Sequence, residues 1–170
     1  MLFTPQYAVL QQELHSRGNY GVSGHKHADH IMELANNLKT RDVLDYGCGQ
    51  CTLAKALPFA ITNYDPFIPG YEQEPGPHDI VVCSDMFEHI EPECLESVLK
   101  HIYSLTNKAL FVDVATRPAK KVLADGRNAH LIQECPEWWL SHTSNWFDVQ
   151  HLQTYPGGFV AVFTPKADTK

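Results

Sequence analysis

Three groups of side chains in this chain have the types and spacings that chemistry requires. The first is Asp45-Tyr46-Gly47-Cys48-Gly49-Gln50-Cys51, set between the apolar pair Val43-Leu44 and Thr52-Leu53-Ala54. Glycines in such a turn let the backbone approach a ligand closely. A further carboxylate, Asp65, stands twenty positions after Asp45 and ends the run Ala60-Ile61-Thr62-Asn63-Tyr64. There it can accept hydrogen bonds from both hydroxyls of a ribose. Turn and carboxylate together describe a nucleoside-cofactor crevice. The second group is Asp85-Met86-Phe87-Glu88-His89, which follows the apolar run Ile80-Val81-Val82-Cys83. Histidine ordinarily titrates near neutrality, which makes His89 a candidate general base; the plainer reading is that Glu88 and His89 only shape the loop. The third is the stretch Arg117-Pro118-Ala119-Lys120-Lys121 with Asp125-Gly126-Arg127-Asn128-Ala129-His130 and Trp138-Trp139. Two arginines, an amide, an imidazole and paired indoles suit an anionic or sugar-like ligand. Arg127, Asn128 and His130 lead the substrate candidates, followed by Arg117 and Trp139, and His130 is the alternative base. The plainer reading is a self-satisfied loop with one tryptophan in the core.

Two further motifs compete for attention. His25-Lys26-His27-Ala28-Asp29-His30 has the HxHxDH spacing of dinuclear metallohydrolases. A glycine loop precedes it and an amphipathic helix follows, so a polar helix start is the favoured reading and no metal ligand is assigned. Cys48-Gly49-Gln50-Cys51 is a CxxC between a strand and a helix. The glycine turn already uses those residues, and a redox fold gives Asp65 and Asp85 no role.

These groups need elements to hold them. Apolar residues at Ala28, Ile31, Leu34, Ala35 and Leu38 predict a helix over about 27–38. Strands are expected at about 42–46, 60–64, 79–84 and 108–115, with helices near 52–57 and 92–105. Residues 146–155 and 159–164 form a hairpin around Pro156-Gly157-Gly158. Residues 1–24 and 116–145 read as irregular, and 66–78 as a proline-rich loop with at most a short edge strand. Strands alternating with helices imply a mostly parallel sheet covered on both faces.

The 170 residues suit a single domain. It divides into an N-terminal loop and helix (1–40), a cofactor-binding half (41–115), a substrate loop (116–145) and the hairpin (146–165). A net charge of −7 without a basic stripe speaks against a nucleic-acid partner. No apolar run reaches bilayer length, and the first residues lack a signal-peptide pattern. Five cysteines, an odd count, fit reduced thiols and a cytoplasmic location.

On the residues 43–51, Asp65 and 79–90, in that order, the chain resembles the class I S-adenosylmethionine-dependent methyltransferases over about residues 20–165. The resemblance implies an α/β, Rossmann-like, doubly wound sheet of seven mostly parallel strands, the third shortened or missing here, with a C-terminal antiparallel hairpin. It implies S-adenosyl-L-methionine as cofactor. Gly47, Cys48 and Gly49 would line its methionine and ribose, Asp45 its amino group, and Asp65, followed by Pro66, its ribose hydroxyls. Asp85 and Met86 would flank the sulfonium. Tyr20, Ser23 and Gly24 would close over the carboxylate. Cys51 replaces the usual third glycine, and Gln73 or Glu74 would stand in for the missing adenine contact. The expected activity is methyl transfer to a small or glycan-like acceptor. A metal-dependent hydrolase using the HxHxDH cluster and a non-catalytic cofactor-binding protein are the alternatives. The acceptor and the oligomeric state are not legible.

Overall fold

The computed structural model describes residues 1–167. Six strands form one sheet in the order β2-β1-β3-β4-β6-β5. They are β1 (Val43–Tyr46), β2 (Thr62–Tyr64), β3 (His78–Ser84), β4 (Thr106–Ala115), β5 (Phe147–Tyr155) and β6 (Gly158–Pro165). The first four run parallel, and β6 lies antiparallel between β4 and β5. This is the Rossmann-like sheet with a terminal hairpin that the resemblance implies. The third strand of the seven-stranded pattern is absent among the described residues. Its place falls in 66–77, where Pro66, Pro69, Pro75 and Pro77 remove the N–H donors that a ladder needs.

The central strands are buried on both faces, which explains their unbroken apolar runs. Side chains alternate, so β3 sends Val81 and Cys83 to one layer and Ile80 and Val82 to the other. The first layer packs against α4 (Leu95–Leu105), with Val98, Leu99, Ile102 and Leu105 buried along one helical face. The second packs against α2 (Ala28–Asn37) and α3 (Thr52–Ala56) through Ile31, Ala35 and Leu53.

Two helices correct the sequence reading. Residues 1–24 are not all loop: α1 spans Pro5–Ser16. Thr4 caps it by accepting from the Tyr7 amide at 3.2 Å, and Pro5 takes the first turn. Its buried face is Tyr7, Gln11 and Leu14. A helix whose inner face meets a cavity carries polar groups there, so its apolar stripe is faint. Likewise α5 (Pro136–Thr143) lies in the stretch read as irregular. Trp139 on α5 is 1% exposed and packs its ring against Phe87 at 5.7 Å. It is a core residue and not a substrate contact. Trp139→Ala is therefore expected to cost about 3–5 kcal/mol of stability in denaturant melts, as large-to-small changes in aromatic cores do.

Candidate active site

The connection out of β1 leads to β2 on one side, while β3 pairs on the other. Ligands of such sheets sit beyond the strand ends at this reversal. A cavity of about 470 Å³ opens there, within the usual range for small-molecule sites. All eleven residues expected to hold the cofactor line it: Tyr20, Ser23, Gly24, Asp45, Gly47, Cys48, Gly49, Asp65, Pro66, Asp85 and Met86.

The glycine turn is built from β1 and β2 together. The amides of Gly47 and Cys48 donate to the Tyr64 carbonyl at 2.8 and 3.1 Å. The Asp65 carboxylate then accepts from Gly49 N at 3.1 Å and Phe67 N at 3.0 Å. Gly47 has φ +83°, and a Cβ there would meet Met86 Cγ at 2.6 Å. Gly49 has φ +52° and lies directly under Gly21, whose carbonyl accepts from Gln50 N at 2.8 Å. Gly47→Ala thus combines a disfavoured dihedral with a collision against the residue that flanks the site. The variant is expected to fold with reduced melting temperature and to bind S-adenosylhomocysteine at least about tenfold more weakly in calorimetry, a loss of roughly 1.4 kcal/mol. Wild-type affinity would show that Met86 moves aside freely.

Cys51, in the third glycine position, adopts φ 54°, the left-handed conformation that glycine takes more easily. Its sulfur lies 3.6 Å from that of Cys48, and both thiols are buried and free. Burial pushes the Cys48 thiol well up. A thiol held protonated is a poor nucleophile, so the pair does not suit redox exchange.

Four carboxylate residues line the cavity, Asp45, Asp65, Asp85 and Glu91, the last bonded to Thr4. Asp45 is 4% exposed, and burial, with the Asp65 charge adding to it, pushes its carboxyl up to about 7. Burial also raises Asp65, against the pull of His15 and its two backbone donors. Asp85 sits at the end of β3 with φ 48°, and the Ser23 hydroxyl donates to it. Short Asp side chains tolerate this conformation better than most. Acidic groups gathered in a concave, poorly solvated site favour a cationic ligand.

Helix α1 closes the cavity from above and was not foreseen as part of it. Tyr7, Gln11 and His15 line the space. The Tyr7 hydroxyl donates to the His89 carbonyl and accepts from the Gln11 amide. Thr4 donates to Glu91 through its amide at 2.7 Å and its hydroxyl at 2.8 Å. The Tyr20 hydroxyl lies 3.0 Å from His89 Nδ1. Thr4-Pro5, a capping residue followed by proline, was the available signal for this helix. Glu91→Ala removes both Thr4 bonds, each worth about 1.5–3 kcal/mol as a bond to a charged group. Amide exchange over residues 5–16 is expected to speed up by one to two orders of magnitude. Unchanged exchange would mean that α1 is held by Tyr7 and the aromatic contacts alone.

The acceptor candidates divide. His89, His130 and Arg117 line the cavity. The Nδ1–H of His89 donates to Ala129 O at 2.7 Å, and that of His130 to Arg117 O at 2.6 Å. Burial pushes His89 down to about 3, with His130 contributing. Burial that holds the ring neutral disfavours the imidazolium a general base must become, which works against His89 in that role. Arg127 is exposed, pairs with Asp125 at 2.7 Å and does not line the cavity. The Asn128 amide is consumed by the backbone: it accepts from Ala119 N and His130 N and donates to Ala119 O, each at 2.9 Å. It shapes the loop that presents His130.

The HxHxDH residues do not converge. His27 pairs with Asp113 at 2.9 Å, whereas His25 Nδ1 bonds the Val22 carbonyl at 3.0 Å. Neither Gln73 nor Glu74 reaches the cavity, and Glu74 instead pairs with His101 at 3.3 Å.

The family described as methyltransferase domain matches residues 22–162. The chain belongs to that family. This bears out the resemblance read from the sequence, with S-adenosylmethionine as cofactor. No curated protein sequence matches. Among solved structures, the fold is similar to 1,6-didemethyltoxoflavin-N1-methyltransferase of Burkholderia thailandensis, solved with 1,6-didemethyltoxoflavin and S-adenosylhomocysteine. Identity is 16%, with 98% of this methyltransferase and 92% of that chain covered at a TM-score of 0.64. It is also similar to magnesium protoporphyrin IX methyltransferase of Synechocystis PCC 6803, solved with S-adenosylhomocysteine. There identity is 16%, coverage 85% and 84%, and the TM-score 0.59. At these identities the likeness speaks for the fold alone.

Proposed function

We propose that this methyltransferase moves the methyl group of S-adenosylmethionine to a small or glycan-like acceptor bound beside His89, His130 and Arg117. One observation carries the reading: Asp45, Asp65 and Asp85 converge with the glycine turn on one cavity, and imidazoles not needed for the cofactor line the same space. The two similar enzymes carry names that specify small acceptors, a toxoflavin precursor and a magnesium porphyrin. The net charge of −7 argues against a polyanionic substrate. No helix among the described residues is long and apolar enough to cross a membrane.

The residues present fit the cofactor. The bound cofactor supplies a methyl group on a sulfonium. Asp45 faces its ammonium, and Asp65, already fixed by two backbone donors, offers its remaining lone pairs to the ribose hydroxyls. Gly47 and Gly49 keep the wall thin, while Pro66 borders the adenosine side. Ser23 and Gly24 close over the carboxylate, with Tyr20 above. Asp85 and Met86 flank the sulfonium. The protein acts chiefly by holding both partners in order and excluding water beneath α1.

Parallel calorimetry with S-adenosylmethionine, S-adenosylhomocysteine and NAD tests the reading. Micromolar binding of the first two and none of NAD is expected; silence from both adenosyl ligands would sink it. A non-catalytic role would instead show tight cofactor binding and no methyl transfer to any acceptor in a broad panel.

The two arginines separate the acceptor assignments. Once an acceptor is found, Arg117→Ala is expected to raise its KM about tenfold or more, a loss of roughly 1.4 kcal/mol or more, by removing a charged contact. Arg127→Ala is expected to leave kcat/KM within about twofold, because an exposed ion pair is worth under about 1 kcal/mol. The reverse pattern would restore Arg127 to the substrate site.

A further inference from the structure

Glu88, His89 and His130 each have one ligating atom within 4.8 Å of those of the other two, and His89 borders the cofactor residues through the Tyr20 hydroxyl, 3.0 Å from its Nδ1. Their remaining bonds are arranged in a particular way. Both rings give their Nδ1–H to backbone carbonyls, Ala129 O at 2.7 Å and Arg117 O at 2.6 Å. That fixes the tautomer and leaves an Nε2 lone pair on each ring, without a hydrogen-bond partner among the described residues. Imidazoles oriented through a carbonyl on the far nitrogen are the usual state of metal-binding histidines. The two rings lie 4.9 Å apart at 85°, edge to face, so they do not stack on one another.

Glu88 supplies an independent observation. It is 0% exposed, and its Oε1 accepts from Ala115 N at 3.0 Å. Its Oε2 is buried and has no partner among the described residues. A buried carboxylate oxygen without a donor is costly unless a donor or a cation meets it. No lysine or arginine is bonded to it among the described residues, and one oxygen of the same carboxylate lies within 4.8 Å of a ring nitrogen of each histidine. The sequence also favours this arrangement. Glu88 and His89 are adjacent in the short 3-10 turn Phe87–His89 that follows β3, and His130 comes from the loop after β4, the neighbouring strand.

We propose that Glu88, His89 and His130 bind one divalent first-row transition-metal ion, whose open positions hold an oxygen of the methyl acceptor. Two imidazoles and one carboxylate suit manganese(II), iron(II), cobalt(II) or zinc(II) and are poor partners for magnesium or calcium, which prefer oxygen ligands throughout. His89 and His130 line the same cavity as Asp85 and Met86, so an acceptor held by the ion lies in the space assigned to methyl transfer. The ion makes a coordinated hydroxyl more acidic. In the balanced step the acceptor O–H bond breaks and its proton passes to solvent. An O–CH3 bond then forms as the S–CH3 bond breaks, the electron pair of the latter stays on sulfur, and S-adenosylhomocysteine leaves. The acceptor half of the proposal rests on the methyltransferase reading; the metal half does not.

The test uses the full chain, purified without a histidine tag and stripped with chelator. Manganese(II) is titrated in, and the free ion is followed by electron paramagnetic resonance. Cobalt(II) absorption and zinc(II) dialysis serve as parallel probes. One ion per chain is expected, with affinity reduced at least about tenfold in His130→Ala and in Glu88→Gln, the scale on which losing even supporting contacts weakens metal sites. Circular dichroism and S-adenosylhomocysteine calorimetry on the same samples report folding and the cofactor site separately. If Glu88→Gln does not fold, His130→Ala decides. Failure of all three ions to bind stoichiometrically, or binding undiminished in the folded variants, overturns the proposal. Metal binding by a protein that ignores S-adenosylhomocysteine would uphold the metal site while overturning the methyltransferase reading and, with it, the acceptor half.

Discussion

Asp65→Ala is expected to weaken S-adenosylhomocysteine binding by about two orders of magnitude or more. The carboxylate stands at the end of β2, 4% exposed, and already accepts the amides of Gly49 and Phe67 at 3.1 and 3.0 Å. Each of its oxygens keeps a lone pair for a ribose hydroxyl. Two hydrogen bonds to a charged acceptor are worth about 1.5–3 kcal/mol each. Even the lower figure, doubled, exceeds a hundredfold in affinity at roughly 1.4 kcal/mol per decade. The alanine variant also leaves the Gly49 amide without its partner, which loosens the turn next to the ligand. Asp65→Asn keeps one accepting oxygen and should fall between the two. Calorimetry on the three proteins checks the order. An alanine variant that binds as tightly as the wild type would place the ribose elsewhere in the cavity.

The second large effect concerns Asp45 and pH. Its carboxyl is raised from 3.8 to about 7 in the protein without ligand, chiefly by burial. A carboxyl raised on folding stabilises the folded state in its protonated form. That contribution is complete below about pH 4 and is lost as pH rises toward 7. The shift of about three units corresponds to roughly 4 kcal/mol at most, at 1.36 kcal/mol per unit. An ammonium beside Asp45 reverses the preference and favours the ionised carboxylate. Cofactor binding below pH 7 must then release a proton. Affinity should climb nearly tenfold per unit from about pH 5 to 6.5 and level off above 7.5. Calorimetry in buffers of different ionisation enthalpy counts the proton directly. In Asp45→Asn the climb should vanish and binding should weaken. The ligand-free variant should also melt higher than the wild type at pH 8, since it no longer buries a charge. A pH-independent wild-type affinity would show that the ammonium is held by other groups.

Much of the site was legible because its elements are local. Gly47, Gly49 and Asp65 could be read from spacing, since a strand, a turn and the next strand place them with little help from the rest of the chain. The central parallel strands β1, β3 and β4 could be read for a related reason: burial on both faces leaves apolar runs, as in Ile80-Val81-Val82-Cys83. The hairpin announced itself through Pro156-Gly157-Gly158. Tertiary structure alone decided which loop side chains turn inward. Arg127 and Arg117 look alike in sequence, but one is held outside by Asp125 and the other follows β4 into the cavity. Trp139 read as a ligand platform until α5 carried it into the core. Helix α1 escaped notice because its inner face meets a polar cavity and carries Tyr7 and Gln11 where a core-facing helix would carry aliphatic residues. The Glu88, His89 and His130 cluster joins residues more than forty positions apart. Sequence supplied the strong local signals of backbone turn and apolar period. Only packing could bring side chains from separate loops into one space, because that depends on contacts whose partners are far away along the chain.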